Sequence, residues 1–547
     1  MTELDPSIPT LDASELAVLE PLGSHRHVQP GDYLYRAGDT GYDFYVVLSG
    51  RVEIILETDG EERLVTTHGP GRFLGELNLL TGLRVFVSAR VVEPSEVLAV
   101  PVEALRRIIA THPQLSDKIL ATFMDRRADL LTDAASSIRV IGSRFSGDTL
   151  HIREFLARSR VPYQWLDPDT DAQVEAVLQQ FRIQPAELPV VIVSGTVLRG
   201  ASPGALAEYL GLTAVNLPER CFDLIIVGGG PGGLAAAVYG ASEGLRTLGI
   251  EKVAPGGQAG GSSRIENYFG FATGISGGDL MQRGLVQAEK FGASLSVPCT
   301  AVALREESGH LMVELSDGSR VTGRAVIAAS GARYRRLEVD RLADFEGSSV
   351  YYAATELEAR ECSGVPVVVV GGGNSAGQAA VFLADLASHV TVIIRGPDLG
   401  ANMSRYLVDR LENHPDIDVR ARTTIAGLEG DQALRAVRTE GPDGEETLAC
   451  AGLFSFIGAE PSSTWLSGCA ALDKRGFVLT DRALGKAELD QRWTALGRQP
   501  LPFETSYPGL FAVGDLRSGS TKRVAAAVGE GSAAVRSVHE HLAFASS

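Results

Sequence analysis

Between residues 15 and 100 apolar positions alternate with polar ones over short stretches. Turn signals punctuate them at Pro30-Gly31-Asp32, Gly38-Asp39-Thr40-Gly41, Ser49-Gly50, Asp59-Gly60 and Gly69-Pro70-Gly71. A period of two broken this regularly predicts a small all-β barrel or roll. From 102 to 132 the spacing turns helical, and mixed charge such as Asp125-Arg126-Arg127 marks a solvated face. Residues 138–212 then alternate short strands at 139–142, 163–166 and 190–193 with helices near 150–159, 172–181 and 203–210, a small βαβαββα pattern.

The rest of the chain is organised around residues 222–252. An apolar β-branched run at 224–227 delivers Gly228-x-Gly230-x-x-Gly233 into an Ala-rich helical stretch, and a second strand at 247–250 ends in Glu251. This is a βαβ nucleotide cradle: the glycines allow a tight turn and close backbone approach to a pyrophosphate, and the helix N-terminus offers free N–H groups. The carboxylate about 20 residues behind the turn suits the hydroxyls of an adenosine ribose. A second copy lies 143 residues on, where 367–370 lead into Gly371-x-Gly373-x-x-Ala376, a helix and a strand at 390–394. That strand ends in Arg395, which accommodates a 2′-phosphate that an acid would repel. Opposite charge at equivalent places predicts two different dinucleotides, the second being NADPH.

Length and charge narrow the picture. A chain of 547 residues exceeds one core and predicts three or four domains. Lys plus Arg number 50 against 68 Asp plus Glu, a net charge of −18, which argues against nucleic acid and against an anionic membrane as partners. No uninterrupted apolar run reaches membrane-spanning length and the N-terminus has no basic-then-apolar leader, so a cytoplasmic location is expected. Cysteines stand at 221, 299, 362, 450 and 469, too far apart for a CxxC redox pair or a zinc knuckle, and no metal site is expected.

Three resemblances add to this. The string from Pro30 to Ile54 and the string FLGELNLLTGLRVFVSARV at 73–91 resemble the cyclic nucleotide-binding domain family. The resemblance implies that Glu76, between Gly75 and Leu77, accepts the ribose 2′-hydroxyl and that Arg84 pairs with the cyclic phosphate of cyclic AMP or cyclic GMP. Val85 and Phe86 add bulk after that arginine, so a working sensor and a roll kept for interdomain contact stay open as alternatives. The 137–213 region resembles the thioredoxin and glutaredoxin family, with Pro189 at its cis-proline position. Ser146-Gly147-Asp148-Thr149 stands where that family's two cysteines fall, which excludes thiolate chemistry there and favours docking or spacing.

From Cys221 onward the chain resembles low-molecular-weight thioredoxin reductases. The resemblance implies FAD contacts from Gly228, Gly230, Pro231, Gly232 and Gly233, from Glu251 and Lys252, and from Gly257, Gln258 and Asn267 in loops beside the isoalloxazine. It also implies a crossover at 328–332 including Gly331, a return at Ile457-Gly458, and a second FAD fingerprint ending in Gly514-Asp515. Arg523, Val524 and Ala525 open a helix whose N-terminus would face the flavin. For NADPH it implies Gly371, Gly373, Asn374, Ser375, Ala376, Arg395 and Arg405. Ile394 and Gly396 flank Arg395, so the family's paired basic motif is only partly kept.

In that family a dithiol in the NADPH domain takes electrons from the flavin, and here Ala353-Ala354-Thr355-Glu356 occupies its place. Glu356 and Cys362 are the weak candidates left for a catalytic role, and on one helix Cys362 would lie roughly 9 Å and about 240° from Glu356. The resulting expectation is a multidomain chain: a β-roll at 1–136, a thioredoxin-like α/β domain at 137–213, an FAD domain split over 219–337 and 466–547, and an NAD(P)H domain at 338–465. Its function would be NADPH oxidation through FAD, with an electron acceptor that is a small molecule or redox protein and with cyclic nucleotide as an input. Two alternatives stand: a sensing scaffold with little turnover, or a thioredoxin-disulfide reductase using Cys362 or Cys299. The family resemblance implies a homodimer. The stretch 482–502 is longer than the family usually shows and has no role assigned.

Overall fold

The computed structural model describes residues 9–544 except 40, 59–60, 76–78, 81–84, 86, 135–137, 160, 162, 172, 194–195, 211–220, 263, 308, 347, 355 and 432. Chain order begins with helix α1 (Ala13–Leu19), capped reciprocally by Asp12 and Glu15. Eight strands follow: β1 (Ser24–Val28), β2 (Tyr33–Tyr35), β3 (Phe44–Ser49), β4 (Val52–Thr58), β5 (Glu61–His68), β6 (Phe73–Leu74), β7 (Ser88–Val91) and β8 (Ser95–Val100). They form two antiparallel sheets, β1-β8-β3-β6 and β2-β7-β4-β5, so the predicted roll is present. Helices α2 (Val102–Thr111) and α3 (Pro113–Ala134) close it. Phe44 and Phe73 of the sheets and Phe123 of α3 meet in one aromatic core, where shape rather than polarity sets the geometry.

The next unit holds β9 (Ile138–Ile141), α4 (Gly147–Arg158), β10 (Gln164–Leu166), α5 (Val174–Gln180), β11 (Val190–Val193), β12 (Thr196–Leu198) and α6 (Pro203–Tyr209). Its sheet runs β10-β9-β11-β12, with β9 parallel to β10 and antiparallel to β11, and the Leu188-Pro189 bond is cis. Helix α4 begins three residues before the sequence places it, because Ser146 caps it by accepting from the Thr149 N–H.

A seven-stranded sheet follows, built from β13 (Cys221–Val227), β14 (Thr247–Ile250), β15 (Ser294–Ser296), β16 (Ala301–Glu307), β17 (His310–Leu315), β18 (Arg320–Ala328) and, from the far end of the chain, β29 (Leu510–Ala512). In the parallel part, β15-β14-β13-β18-β29, strands β14 and β29 and the ends of β13 and β18 are buried on both faces. Helix α7 (Pro231–Ser242) crosses between β13 and β14, and α8 (Gly277–Lys290) precedes β15. The C-terminal helix α14 (Val524–Phe544) packs directly on α7. A Cβ on Gly531 would stand 2.0 Å from the Gly232 carbonyl oxygen, so these glycines set the helix spacing.

The second Rossmann-like unit is an all-parallel sheet, β20-β27-β21-β22-β23, from β20 (Val350–Tyr351), β21 (Pro366–Val370), β22 (His389–Ile393), β23 (Ile417–Arg420) and β27 (Gly452–Ser455). Its helices include α9 (Leu342–Phe345), α10 (Glu356–Glu361), α11 (Asn374–Ala384) and α12 (Arg405–Glu412), and a meander of β24 (Thr424–Gly430), β25 (Leu434–Gly441) and β26 (Gly444–Ala449) lies beside it. Two chain crossovers join the Rossmann-like units as an antiparallel pair, β19 (Ala332–Tyr334) with β28 (Ala459–Pro461). The unassigned stretch 482–502 forms α13 (Gln491–Leu496) and Arg498, whose guanidinium pairs with buried Glu504 at 2.6 Å. It closes the end of the sheet against α14. Among the described residues no helix is long and apolar enough to cross a membrane.

Candidate active site between two nucleotide cradles

The first cradle is built by steric necessity at two glycines. Gly228 has φ +115°, and a Cβ there would lie 2.2 Å from the Ala329 carbonyl oxygen. A Cβ on Gly233 would lie 1.8 Å from the Gly228 carbonyl oxygen. Gly230 precedes α7 with no side-chain cap and Pro231 at N1, so the first N–H groups of the helix have no capping side chain. Glu251 does more than the sequence indicates: its carboxylate accepts from the Gly229 N–H at 2.6 Å and the Val253 N–H at 3.0 Å. Burial pushes its carboxyl above the usual range. Lys252 and Asn267 are exposed, while Gln258 donates from its amide to the Ala332 carbonyl at the crossover. Gly257 lies against Gly230, where a Cβ would come within 3.0 Å of its Cα.

The second fingerprint is held by a residue the sequence reading missed. Glu530 on α14 accepts from the Gly514 N–H at 2.7 Å, from Arg517 Nη2 at 2.6 Å and Nε at 3.1 Å, and from the Ser520 hydroxyl at 2.9 Å. Gly514 has φ +68° and Gly331 φ +66°, both left-handed. Burial raises the carboxyl of Asp515, whose main-chain oxygen accepts from Lys522. Arg523 and Ala525 at the start of α14 are exposed and Val524 is half-buried. Glycines whose Cβ would fill the cradle, together with an uncapped helix N-terminus, fit an adenine dinucleotide with a flavin at its far end.

The NADPH cradle repeats the geometry. Gly371 has φ +144° with a Cβ position 2.5 Å from the Phe456 carbonyl oxygen, and Gly373 opens α11 with nothing within 4 Å of its Cβ position. Asn374 is partly committed, its side-chain oxygen accepting from the Ser404 N–H at 2.7 Å. Ala376 is fully buried against the sheet. Arg395 is exposed and forms no ion pair among the described residues, whereas Arg405 pairs with Asp409 one turn along α12 at 2.5 Å. Of the two candidate phosphate ligands Arg395 is the one with its charge uncommitted.

Between the cradles lies a cleft. Gln258 and Tyr334 line its FAD side, and Ser375, Gln378 and Phe456 its NADPH side. Ala353 and Ala354 form part of the wall. Burial pushes the Tyr334 hydroxyl up to about 12, and its ring stacks on Tyr352 at 12°. Glu356 opens α10, but its side chain and Thr355 lie outside the described residues.

Of the cysteine candidates, Cys362 is buried and Cys299 half-buried. Cys362 follows α10, is 2 % exposed and packs against Gly452; burial pushes its thiol up to about 12. Cys450 is likewise pushed up to about 12 and Cys299 up to about 11, both by burial. A thiol held that high has almost no thiolate at neutral pH. Cys362 thus sits as a core-filling side chain, which weighs against its use as a nucleophile.

In the roll, Glu76, Leu77, Arg84 and Phe86 lie outside the described residues. Gly75, which precedes them, has φ +143° and a Cβ position 2.9 Å from Phe123. Arg126 on α3 donates to the Gly75 and Phe73 carbonyls, each at 2.9 Å, which ties the start of the cassette to the helix leading out of the roll. Among the described residues no cluster of His, Cys, Asp and Glu could hold a metal.

Residues 222–531 match the family described as pyridine nucleotide-disulphide oxidoreductase, and residues 25–112 match the cyclic nucleotide-binding domain. The chain is 32 % identical to the thioredoxin reductase of Treponema pallidum over 332 residues, covering 59 % of this chain and 98 % of the relative. It is 30 % identical to the thioredoxin reductase of Mycoplasmopsis pulmonis over 322 residues, covering 58 % of this chain and 96 % of the relative. Among solved structures it is similar to the thioredoxin reductase of T. acidophilum, with 25 % identity, TM-score 0.53, and coverage of 59 % of this chain and 99 % of that one.

Proposed function

Because this chain belongs to the pyridine nucleotide-disulphide oxidoreductase family, with FAD and NADPH as its cofactors, we propose that it oxidises NADPH and delivers the electrons to an acceptor other than a dithiol of its own. The observation that carries this reading is the cleft wall at Ala353 and Ala354, which holds no sulfur while both cradles are complete.

FAD, held by the loop of Gly228, Gly230 and Gly233, would supply two-electron acceptance from NADPH. The residues of the chain then have four tasks. The uncapped start of α7 holds the pyrophosphate by N–H groups, and Glu251 fixes the loop that meets the adenosine. Glu530 fixes the Gly514-Asp515 turn, and the N-terminus of α14 would favour negative charge on a flavin held there. Arg395 holds the 2′-phosphate. Gln258 and Tyr334 face Ser375 and Gln378 across the cleft and would position the reacting groups, which is what hydride transfer asks of the protein. In this reading the domain divisions fall near 136, 213, 337 and 465, and the roll is a cyclic-nucleotide input. The acceptor is a quinone, dioxygen, a small disulfide or a partner electron carrier. The test is anaerobic mixing of the yellow protein with NADPH: bleaching of the flavin band within the dead time to seconds is expected, and a band that stays unbleached overturns the proposal.

A further inference from the structure

The small α/β unit has no thiol, yet it touches both cofactor-binding halves at sensitive points. On the FAD side Val297 joins the core of this unit, packed with Ile138, Phe155 and Leu156. Val297 sits between Ser296, whose carbonyl accepts from the Glu251 N–H, and Cys299, whose N–H donates to the Glu251 carbonyl. On the NADPH side Arg153 of α4 reaches Glu361 of α10 at 3.0 Å. Arg153 is 7 % exposed, stacks on Trp165 with its guanidinium carbon 3.6 Å from the ring centroid, and interacts with the Tyr163 hydroxyl. Arg144, Glu358 and Tyr351 also face this pair electrostatically.

The position of Glu361 gives the contact its meaning. Helix α10 starts two residues after Ala354 of the cleft wall, and Ala354, Ala359 and Cys362 share one apolar core with Ala376, Ala379 and Ala380 of the helix that opens the NADPH cradle. A shift of α10 therefore moves the cleft wall and the nicotinamide side together. A buried guanidinium that loses its carboxylate keeps its desolvation cost, so α10 cannot leave Arg153 freely.

We propose that Arg153 is a positioning residue of the reductase: through Glu361 it holds α10, and with it the Ala353-Ala354 wall, at the distance from the FAD-side loop that hydride transfer needs. The small unit is thus a brace across both halves rather than an idle relic. This rests on the NADPH-to-flavin reading above, and the two fail separately: wild-type protein that does not bleach removes that reading, whereas only a comparison of variants bears on the brace.

The variant of choice is Glu361→Gln in the full-length protein loaded with FAD, which keeps shape and removes the charge at the more exposed partner. Rapid-mixing reduction over a range of NADPH concentrations separates the limiting rate from the apparent Kd. The brace predicts a limiting rate at least 5-fold lower with a Kd within 2-fold of wild type, and faster amide hydrogen exchange over 350–362. Arg153→Gln alone, and combined with Glu361→Gln, completes a cycle in which the double variant is no slower than the worse single. If Arg153→Gln does not fold, the rate and exchange of Glu361→Gln decide. A Glu361→Gln rate within 1.5-fold of wild type, a change confined to Kd, or a double variant whose effect is the product of the singles overturns the proposal.

Discussion

Glu530 offers the sharpest quantitative test of how the FAD site is held. Its carboxylate collects four hydrogen bonds, from Gly514, twice from Arg517 and from Ser520, with side-chain exposures of only 12 % for Glu530 and 20 % for Arg517. Glu530→Gln keeps the shape and one acceptor oxygen but removes the charge and aims an N–H₂ at donors. A hydrogen bond to a charged group contributes about 1.5–3 kcal/mol, and stripping one partner from a buried pair costs about 3–5 kcal/mol. Residual solvent and the surviving acceptor put this change near the lower figures, about 2–3 kcal/mol in all. Since the network joins the Gly514 turn to the first turns of α14, most of that loss belongs to the FAD-bound state. With about two-thirds of it, about 1.4–2 kcal/mol, acting on the bound state, and about 1.4 kcal/mol per factor of ten, FAD should dissociate roughly 10–30-fold more readily. The assay is flavin fluorescence released on dilution, paired with melting of apoprotein and holoprotein. An FAD Kd within 2-fold of wild type, with both melting temperatures lowered equally, would show that the network serves the fold alone.

Arg395→Ala should weaken NADPH about 10-fold while leaving NADH within 2-fold, as read from the concentration dependence of bleaching; Arg405→Ala, whose charge is held by Asp409, should change either by less than 3-fold. Equal losses for both nucleotides would refute the phosphate role. Cys362→Ser and Cys299→Ser, singly and together, should leave steady-state NADPH oxidation with an electron acceptor within 2-fold, and loss of turnover in a variant whose flavin still bleaches with NADPH would restore a thiol to the mechanism. Burial and the guanidinium groups of Arg126 and Arg72 hold the His68 imidazole well below its usual range. A histidine depressed in the fold binds its proton in the unfolded chain first, so stability should fall as pH drops below about 6.5. His68→Leu should flatten melting temperature between pH 7 and 5, and an unchanged slope would exclude His68 as a source.

The cradles were legible because part of what they require is local. A Cβ on Gly233 would strike the carbonyl of Gly228 within the same turn, and the sequence carries that as a fixed spacing, although the contacts of Gly228 with Ala329 and of Gly371 with Phe456 that enforce the other glycines are not local. The roll was legible from turn spacing for the same reason. What lay hidden was long range. Glu530 reaches back 16 residues to Gly514, and Arg153 meets Glu361 across 208 residues. No periodicity encodes either, and a Glu on a helix reads as a solvated face until its partners are seen. Cys362 stood out only because sulfur was expected nearby, and burial decided its role once the helix before it ended at Glu361.

The central claim is best tested by counting electrons. An anaerobic reductive titration of the FAD-loaded protein, first with dithionite and then with NADPH, measures how many electrons the chain takes up before its flavin band is fully bleached and excess reductant accumulates. With alanines at the cleft wall, one two-electron equivalent per FAD is expected. Uptake of two equivalents, with FAD and a disulfide both filling, would contradict it.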